Sequence, residues 1–261
     1  MIRSSGVALA LFVSCSLFCS AQESKIEGLT GNAKAGQALY RRYCITCHGV
    51  HGDGAGENAP HLDPKPRDFT KAAFKCRSTP SGGLPTDSDL YDTISRGIYN
   101  SAMPPWRPLT RQQRADLIAY IKTFSPRFHE EPPGATVVIP PEPPTSAESV
   151  QRGAALFQSM NCWSCHGKEG RGNGPSALTL TDSKGYPILP FDFTKAPHFK
   201  CGETPRDVFK DLSTGLDGTP MPSFADSLKP DQIWDVVHYI QTFVEGNRSF
   251  FHRAKSEGKL Q

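Results

Sequence analysis

The string Cys-x-x-Cys-His occurs twice in this chain, as Cys44-Ile45-Thr46-Cys47-His48 and as Cys162-Trp163-Ser164-Cys165-His166, 118 residues apart. Each copy sits among matching neighbours. Upstream, Gly36-Gln37-Ala38-Leu39-Tyr40 corresponds to Gly153-Ala154-Ala155-Leu156-Phe157. Downstream, Asp68-Phe69-Thr70-Lys71 corresponds to Asp192-Phe193-Thr194-Lys195. Met103-Pro104 follows, 55 residues after His48, and Met221-Pro222 lies 55 residues after His166. Near the end of each unit, Tyr120-Ile121 and Phe124 correspond to Tyr239-Ile240 and Phe243. A period of this length is too long for a solenoid repeat and suits a whole small domain. The chain therefore reads as two copies of one domain, each built around its own Cys-x-x-Cys-His.

The string itself is the attachment signature of c-type haem. Two thiols spaced two residues apart each add to a vinyl group on one edge of a porphyrin. The adjacent imidazole then falls beneath the iron. Two rival uses of the same residues fit less well. A structural zinc site needs four N/S ligands, usually as two pairs, and each half offers one pair and one neighbouring His. Thioredoxin-type redox chemistry needs a βαβ context, and no strand periodicity surrounds either motif.

Helical signals dominate both halves. Residues 33–42 and 150–159 read as helices running into the motifs. Thr86 with Asp89 marks a cap ahead of a helix over residues 88–96. Thr204-Pro205 with Asp207 is a clearer start, a capping residue followed by proline at the first helical position, and Gly97 and Gly215 end these two helices. Leu117, Tyr120, Ile121 and Phe124 recur at helical spacing, as do Val236, Tyr239, Ile240 and Phe243; these are core positions. Gly- and Pro-rich stretches between motif and middle helix read as loop. An all-α, loop-rich fold follows.

Residues 131–145 carry six prolines, which excludes a helix interior and predicts an extended, semi-rigid linker with Val137-Val138-Ile139 lying against one of the domains. At the N-terminus, Arg3, an apolar run over residues 7–18 and the small residues of Cys19-Ser20-Ala21 read as a secretory signal cleaved after Ala21. The run is too short for a stable membrane span, and no other segment is long and apolar enough for one. The expected organisation is a signal peptide at 1–21, an N-terminal domain at 22–130, a Pro-rich linker at 131–147, a C-terminal domain at 148–246 and a charged tail at 247–261. Export to the periplasm or another extracytoplasmic compartment suits haem attachment. The formal net charge is +3, and the charge difference between the halves, slightly basic in the first and near neutral in the second, is too small to imply nucleic acid or a membrane surface as partner.

Taken together, the Gly-x-x-Leu-aromatic helix, the Cys-x-x-Cys-His motif, the Met-Pro-x-aromatic loop and the final Tyr-Ile helix resemble the class I c-type cytochromes in tandem dihaem form, over residues 31–126 and 148–245. The resemblance implies a small helical bundle around each of two haems, covalently held by Cys44, Cys47, Cys162 and Cys165. It implies axial ligation by His48 and Met103 in one half and His166 and Met221 in the other, and a role in moving single electrons. The usual alternative for a methionine is to fill a core gap. Against that, only Met103, Met160 and Met221 remain once the leader is removed, and two of these stand at equivalent places before proline. Trp106 and Phe224 are expected to wall the clefts. His51, His61, His129, His198, His238 and His252 have no counterpart in the other half and read as surface or packing residues.

The resemblance further implies that the carbonyls of Pro60 and Pro175 accept from the proximal imidazoles, with a plain loop role as the alternative. Cys76 and Cys201, each in Phe-Lys-Cys, leave three readings open: buried thiols, one disulfide across the domain pair, or iron ligation in place of methionine. Lys75, Lys200 and Arg77 read either as partners of haem propionates or as solvated charge. The expected function is an exported electron carrier between redox protein partners. The alternatives are a peroxidase-like haem oxidoreductase, which needs an open distal position, and a fixed electron-transfer subunit of a larger membrane or periplasmic oxidoreductase complex.

Overall fold

The computed structural model describes residues 24–26, 28–132, 134–195 and 198–244. The expected signal peptide, the tail at 247–261 and His252 lie outside the described residues. The first unit opens with a short antiparallel hairpin, β1 (Ser24–Ile26) and β2 (Leu29–Gly31). It continues through α1 (Ala33–Tyr43), the single turn α2 (Ile45–His48), α3 (Asp87–Arg96), α4 (Arg111–Lys122) and the short α5 (Arg127–Glu130). The second unit repeats the helical order with α6 (Ala147–Ser159), the single turn α7 (Trp163–His166), α8 (Pro205–Thr214) and α9 (Pro230–Gln241). The fold is all-α, as the repeated caps and periodicity predict.

The hairpin is the departure. Its strands are three residues each, too short to show alternation, and they are held by α4 rather than by their own propensity. Gln112 Nε2 donates to Thr30 O at 2.8 Å, Asn32 N donates to Asp116 Oδ1 at 2.8 Å, and Ile26 is buried in the first core.

In each unit the first and last helices cross closely, and glycine makes the crossing possible. A Cβ at Gly36 would collide with the Asp116 carbonyl of α4, and one at Gly153 with the Asp235 carbonyl of α9. Capping boxes start α3 at Thr86 and α8 at Thr204, each closing two otherwise orphaned backbone donors. Leu117 and Ile121 of α4, and Val236 and Ile240 of α9, are buried in separate cores. His238 is buried on α9, bonded to Ser149 Oγ at 2.8 Å.

The linker touches both units. Val137 N donates to Ser78 O at 2.7 Å, while Ile139 packs on the second core and its carbonyl accepts from Arg206 Nη1 at 3.2 Å. A disulfide joins Cys76 to Cys201 across the domain pair. Of the three open readings, it is therefore the disulfide that stands, and ligation by these cysteines is excluded. Arg77 is fully buried beside it, bonded to Thr214 O at 2.6 Å and paired with Asp217 at 2.8 Å. It is neither a propionate partner nor solvated charge: its neighbour Cys76 is tied to the other domain, which draws the guanidinium into the interface. Among the described residues no helix is long and apolar enough to cross a membrane.

Candidate functional site

Each Cys-x-x-Cys-His string forms one helical turn immediately after the first long helix of its unit. Cys44 N donates to Tyr40 O and so ends α1, and His48 is the last residue of α2. The chain then doubles back beneath the turn. Gly54 N donates to His48 O at 3.0 Å and Gly56 N to Cys47 O at 3.2 Å; in the second unit Gly172 N and Gly174 N do the same for His166 and Cys165 at 2.8 and 3.0 Å. The same backbone pattern thus fixes both motifs.

The imidazoles are held from two directions. His48 Nδ1 meets Arg67 O at 3.0 Å and His166 Nδ1 meets Phe191 O at 3.3 Å. A carbonyl only accepts, so Nδ1 carries the proton and Nε2 keeps its lone pair for a metal. Phe69 stacks on His48 at 4.4 Å and Phe193 on His166 at 4.5 Å between ring centroids. Burial pushes the His166 imidazole down to about 4 and lowers that of His48, which keeps both rings neutral.

The carbonyl partners differ from the expectation. Pro60 O accepts from Lys65 Nζ at 2.9 Å, and the imidazole of His166 is bonded to Phe191, not to Pro175. The reason lies in the loop path. Phe69 N donates to Gly52 O at 2.6 Å and Phe193 N to Gly170 O at 2.7 Å, which brings the residues just before each Asp-Phe-Thr-Lys string under the imidazole. Asp68 Oδ1 accepts from both Thr70 N and Thr70 Oγ1, and Asp192 Oδ1 does so from Thr194. These bonds set the turn that aims the phenylalanine. The repeat of that string was the signal for this role.

The methionine loops are equally matched. Ile98 N donates to Met103 O and Leu216 N to Met221 O, each at 3.1 Å. Ser101 Oγ accepts from Met103 N, and Thr219 Oγ1 from Met221 N, each at 3.2 Å. Gly97 and Gly215 open these loops at φ 75° and 69°, a region that favours glycine.

Two cavities result. One of about 160 Å³ is lined by Cys44, Cys47, His48, Met103 and Trp106. The other, of about 300 Å³, is lined by Cys162, Cys165, His166, Met221 and Phe224, with Met160 also on its wall. Each brings together two free thiols, a neutral imidazole and a thioether on an otherwise largely apolar surface. Burial pushes the Cys44 thiol up to about 12 and the Cys162 thiol up to about 11. This donor set fits a covalently attached haem with His/Met ligation. Among the described residues, no group of three or more His, Cys, Asp or Glu side chains is placed to hold a metal ion by itself. His51, His61, His129 and His198 are exposed, and His198 is paired with Glu203 at 2.8 Å.

Residues 31–121 match the family model for cytochrome c oxidase, cbb3-type, subunit III, and residues 150–243 match the model for cytochrome c. A cbb3-type cytochrome c oxidase subunit CcoP of Helicobacter pylori is 24% identical over 203 residues, covering 75% of this chain and 58% of that protein. The cbb3-type cytochrome c oxidase subunit FixP of Sinorhizobium medicae is 26% identical over 148 residues, 53% of this chain and 40% of that one. The chain thus spans at most 58% of the length of these curated relatives. Among solved structures, a chain of the Kuenenia stuttgartiensis reducing HAO-like protein complex Kustc0457/Kustc0458 is 44% identical, with a TM-score of 0.80, over 82% of this chain and 97% of that one.

Proposed function

The chain belongs to the c-type cytochromes, with two cytochrome c domains in tandem, and from that premise we propose that it passes single electrons between redox protein partners in an extracytoplasmic compartment. Haem held in each cavity would supply a one-electron ferric–ferrous couple. The protein does the rest. Cys44 and Cys47, and Cys162 and Cys165, would hold the cofactors by thioether bonds. His48 and His166, oriented by the Arg67 and Phe191 carbonyls, would offer Nε2 to the iron. Met103 and Met221 would offer sulfur to it, a ligation that favours the reduced state. The largely apolar walls would shield the group from water.

The observation that carries this reading is the methionine in each cavity, held there by the same three backbone and side-chain restraints. With a His and a Met available to each iron, neither would keep a place for a substrate. The test is a reduced-minus-oxidised and pyridine haemochrome spectrum on exported protein, joined to intact-mass analysis. Two covalent haems, the weak near-infrared band of Met ligation in the ferric form and no response to carbon monoxide or cyanide are expected. Binding of carbon monoxide at either haem would overturn the carrier reading in favour of a peroxidase-like oxidoreductase. Export is tested by sequencing the mature N-terminus, expected at Gln22.

A second reading makes the chain a resident electron-transfer subunit of a larger assembly. It is favoured by the similarity, over 97% of its length, to a chain of the HAO-like complex, and by relatives that are oxidase subunits. Co-purification under native conditions separates the two: a subunit brings stoichiometric partners through gel filtration, and a free shuttle elutes alone.

A further inference from the structure

Three cations meet between the two cavities, attracted by nearby carboxylates but in contact with none. Lys75 lines both cavities, Arg67 the N-terminal one and Lys200 the C-terminal one. Lys75 and Lys200 are the middle residues of the two Phe-Lys-Cys strings, so the Cys76–Cys201 disulfide brings them to one place from opposite halves. Arg67 reaches the same seam, because a Cβ at Gly218 of the second unit would collide with its Nη1. Burial, then Arg67 and Lys200, push the Lys75 ammonium down to about 7. Burial also lowers Lys200 and Arg67.

The nearby carboxylates are engaged elsewhere. Asp68 is held by Thr70 and Lys184, and Asp217 by Arg77, Ser81 and Gly82. Asp182 attracts Arg67 and Lys75 but accepts its hydrogen bonds from the backbone of Lys184 and Tyr186. Asp63 attracts both lysines but is exposed. Among the described residues, none of the three cationic side chains has an ion pair or a hydrogen bond to a carboxylate. Half-buried like charges without a contacting counter-ion are costly, and the cost is relieved further when anions enter.

We propose that Lys75, Lys200 and Arg67 form one anion-binding seam that takes propionate carboxylates of the haems in both cavities, with Lys75 as a counter-charge common to the two. The inference rests on the reading of both cavities as haem seats. A cation beside an iron disfavours its ferric state, so a shared cation raises both potentials at once.

The experiment is potentiometric titration of the holoprotein, after a pyridine haemochrome count, for wild type, Lys75→Met, Lys200→Met and Lys75→Arg. Lys75→Met is expected to keep two haems and to lower the reduced-to-oxidised ratio of both by roughly tenfold at fixed ambient potential, a shift of about 59 mV for one electron. Lys200→Met is expected to move one wave more than the other, and Lys75→Arg to stay at the wild-type positions. Unchanged waves in a two-haem Lys75→Met protein would overturn the seam. Should the methionine variants fail to mature, acetylation of wild-type holoprotein decides. Lys75 and Lys200 are expected to label far more slowly than Lys195, whose side chain is 70% exposed, and equal labelling would overturn the proposal. A wild-type count below two haems would overturn the parent reading and the seam with it, and is read before any variant.

Discussion

Tyr40 and Phe157 occupy equivalent places, yet only one has a hydroxyl to offer. Tyr40 Oη donates to Gly49 O at 2.8 Å in the buried region behind the first haem motif. The second unit closes the same turn without that bond. Tyr40→Phe is therefore expected to fold and to bind haem, at a cost of about 1 kcal/mol for one buried hydrogen bond, read as a lowered urea midpoint with an unchanged difference spectrum. A larger effect follows at the methionines. Met103→Leu is expected to open one iron: about half the near-infrared band is lost and carbon monoxide binds one haem per chain. Met221→Leu should do the same for the other, and a variant that still excludes carbon monoxide would show that another side chain ligates. That these thiols, imidazoles and methionines would gather in two cavities was legible in the sequence because they recur at the same spacing in both halves. The acceptors of the imidazole protons were not. They are backbone carbonyls of Arg67 and Phe191, and a carbonyl leaves no trace in side-chain identity. What the sequence did show was the repeated Asp-Phe-Thr-Lys string, whose role became clear only when Phe69 and Phe193 were seen stacked on the imidazoles.

At the scale of elements, the crossing of α1 with α4, and of α6 with α9, is set by two glycines in mid-helix. Elsewhere a helical glycine costs about 1 kcal/mol relative to alanine. Here it lets one helix approach the carbonyl face of another. A Cβ at Gly36 meets the backbone at Asp116, which cannot rotate aside. Gly36→Ala is expected to lose about 3 kcal/mol to overpacking and recover about 1 kcal/mol in helix propensity. The net loss of roughly 2 kcal/mol should appear in chemical denaturation, and a stabilised variant would show that the helices are not in close contact there. The helices themselves were readable because caps and period are local properties: Thr86 and Thr204 do bond to the backbone of Asp89 and Asp207. The β1–β2 hairpin was not readable, since its strands owe their form to contacts with α4, more than eighty residues away.

At the scale of the whole molecule, the two domains are joined by a covalent bond and by a buried ion pair, and the two do different work. The disulfide closes a chain separation of 125 residues. On loop entropy alone, a closure of that length stabilises by about 5 kcal/mol, acting through the unfolded state. It does not by itself orient the domains. Orientation comes from Arg77, whose guanidinium is fully buried among Thr214 O, Phe74 O and Asp217, and from Lys184, which reaches across to Asp53 O and Asp68. Removing one partner of a buried pair strands the other, at about 3–5 kcal/mol. The double variant Cys76→Ser/Cys201→Ser is thus expected to denature at lower urea concentration while keeping the wild-type radius of gyration in solution scattering. Arg77→Met alone should also stay compact, because the disulfide still tethers the halves. Only Arg77→Met combined with loss of the disulfide is expected to expand, and to slow electron exchange between the haems as the shared seam at Lys75 opens. If the double cysteine variant already expands, the bond rather than the arginine sets the domain arrangement. The two losses would then be simply additive instead of coupled.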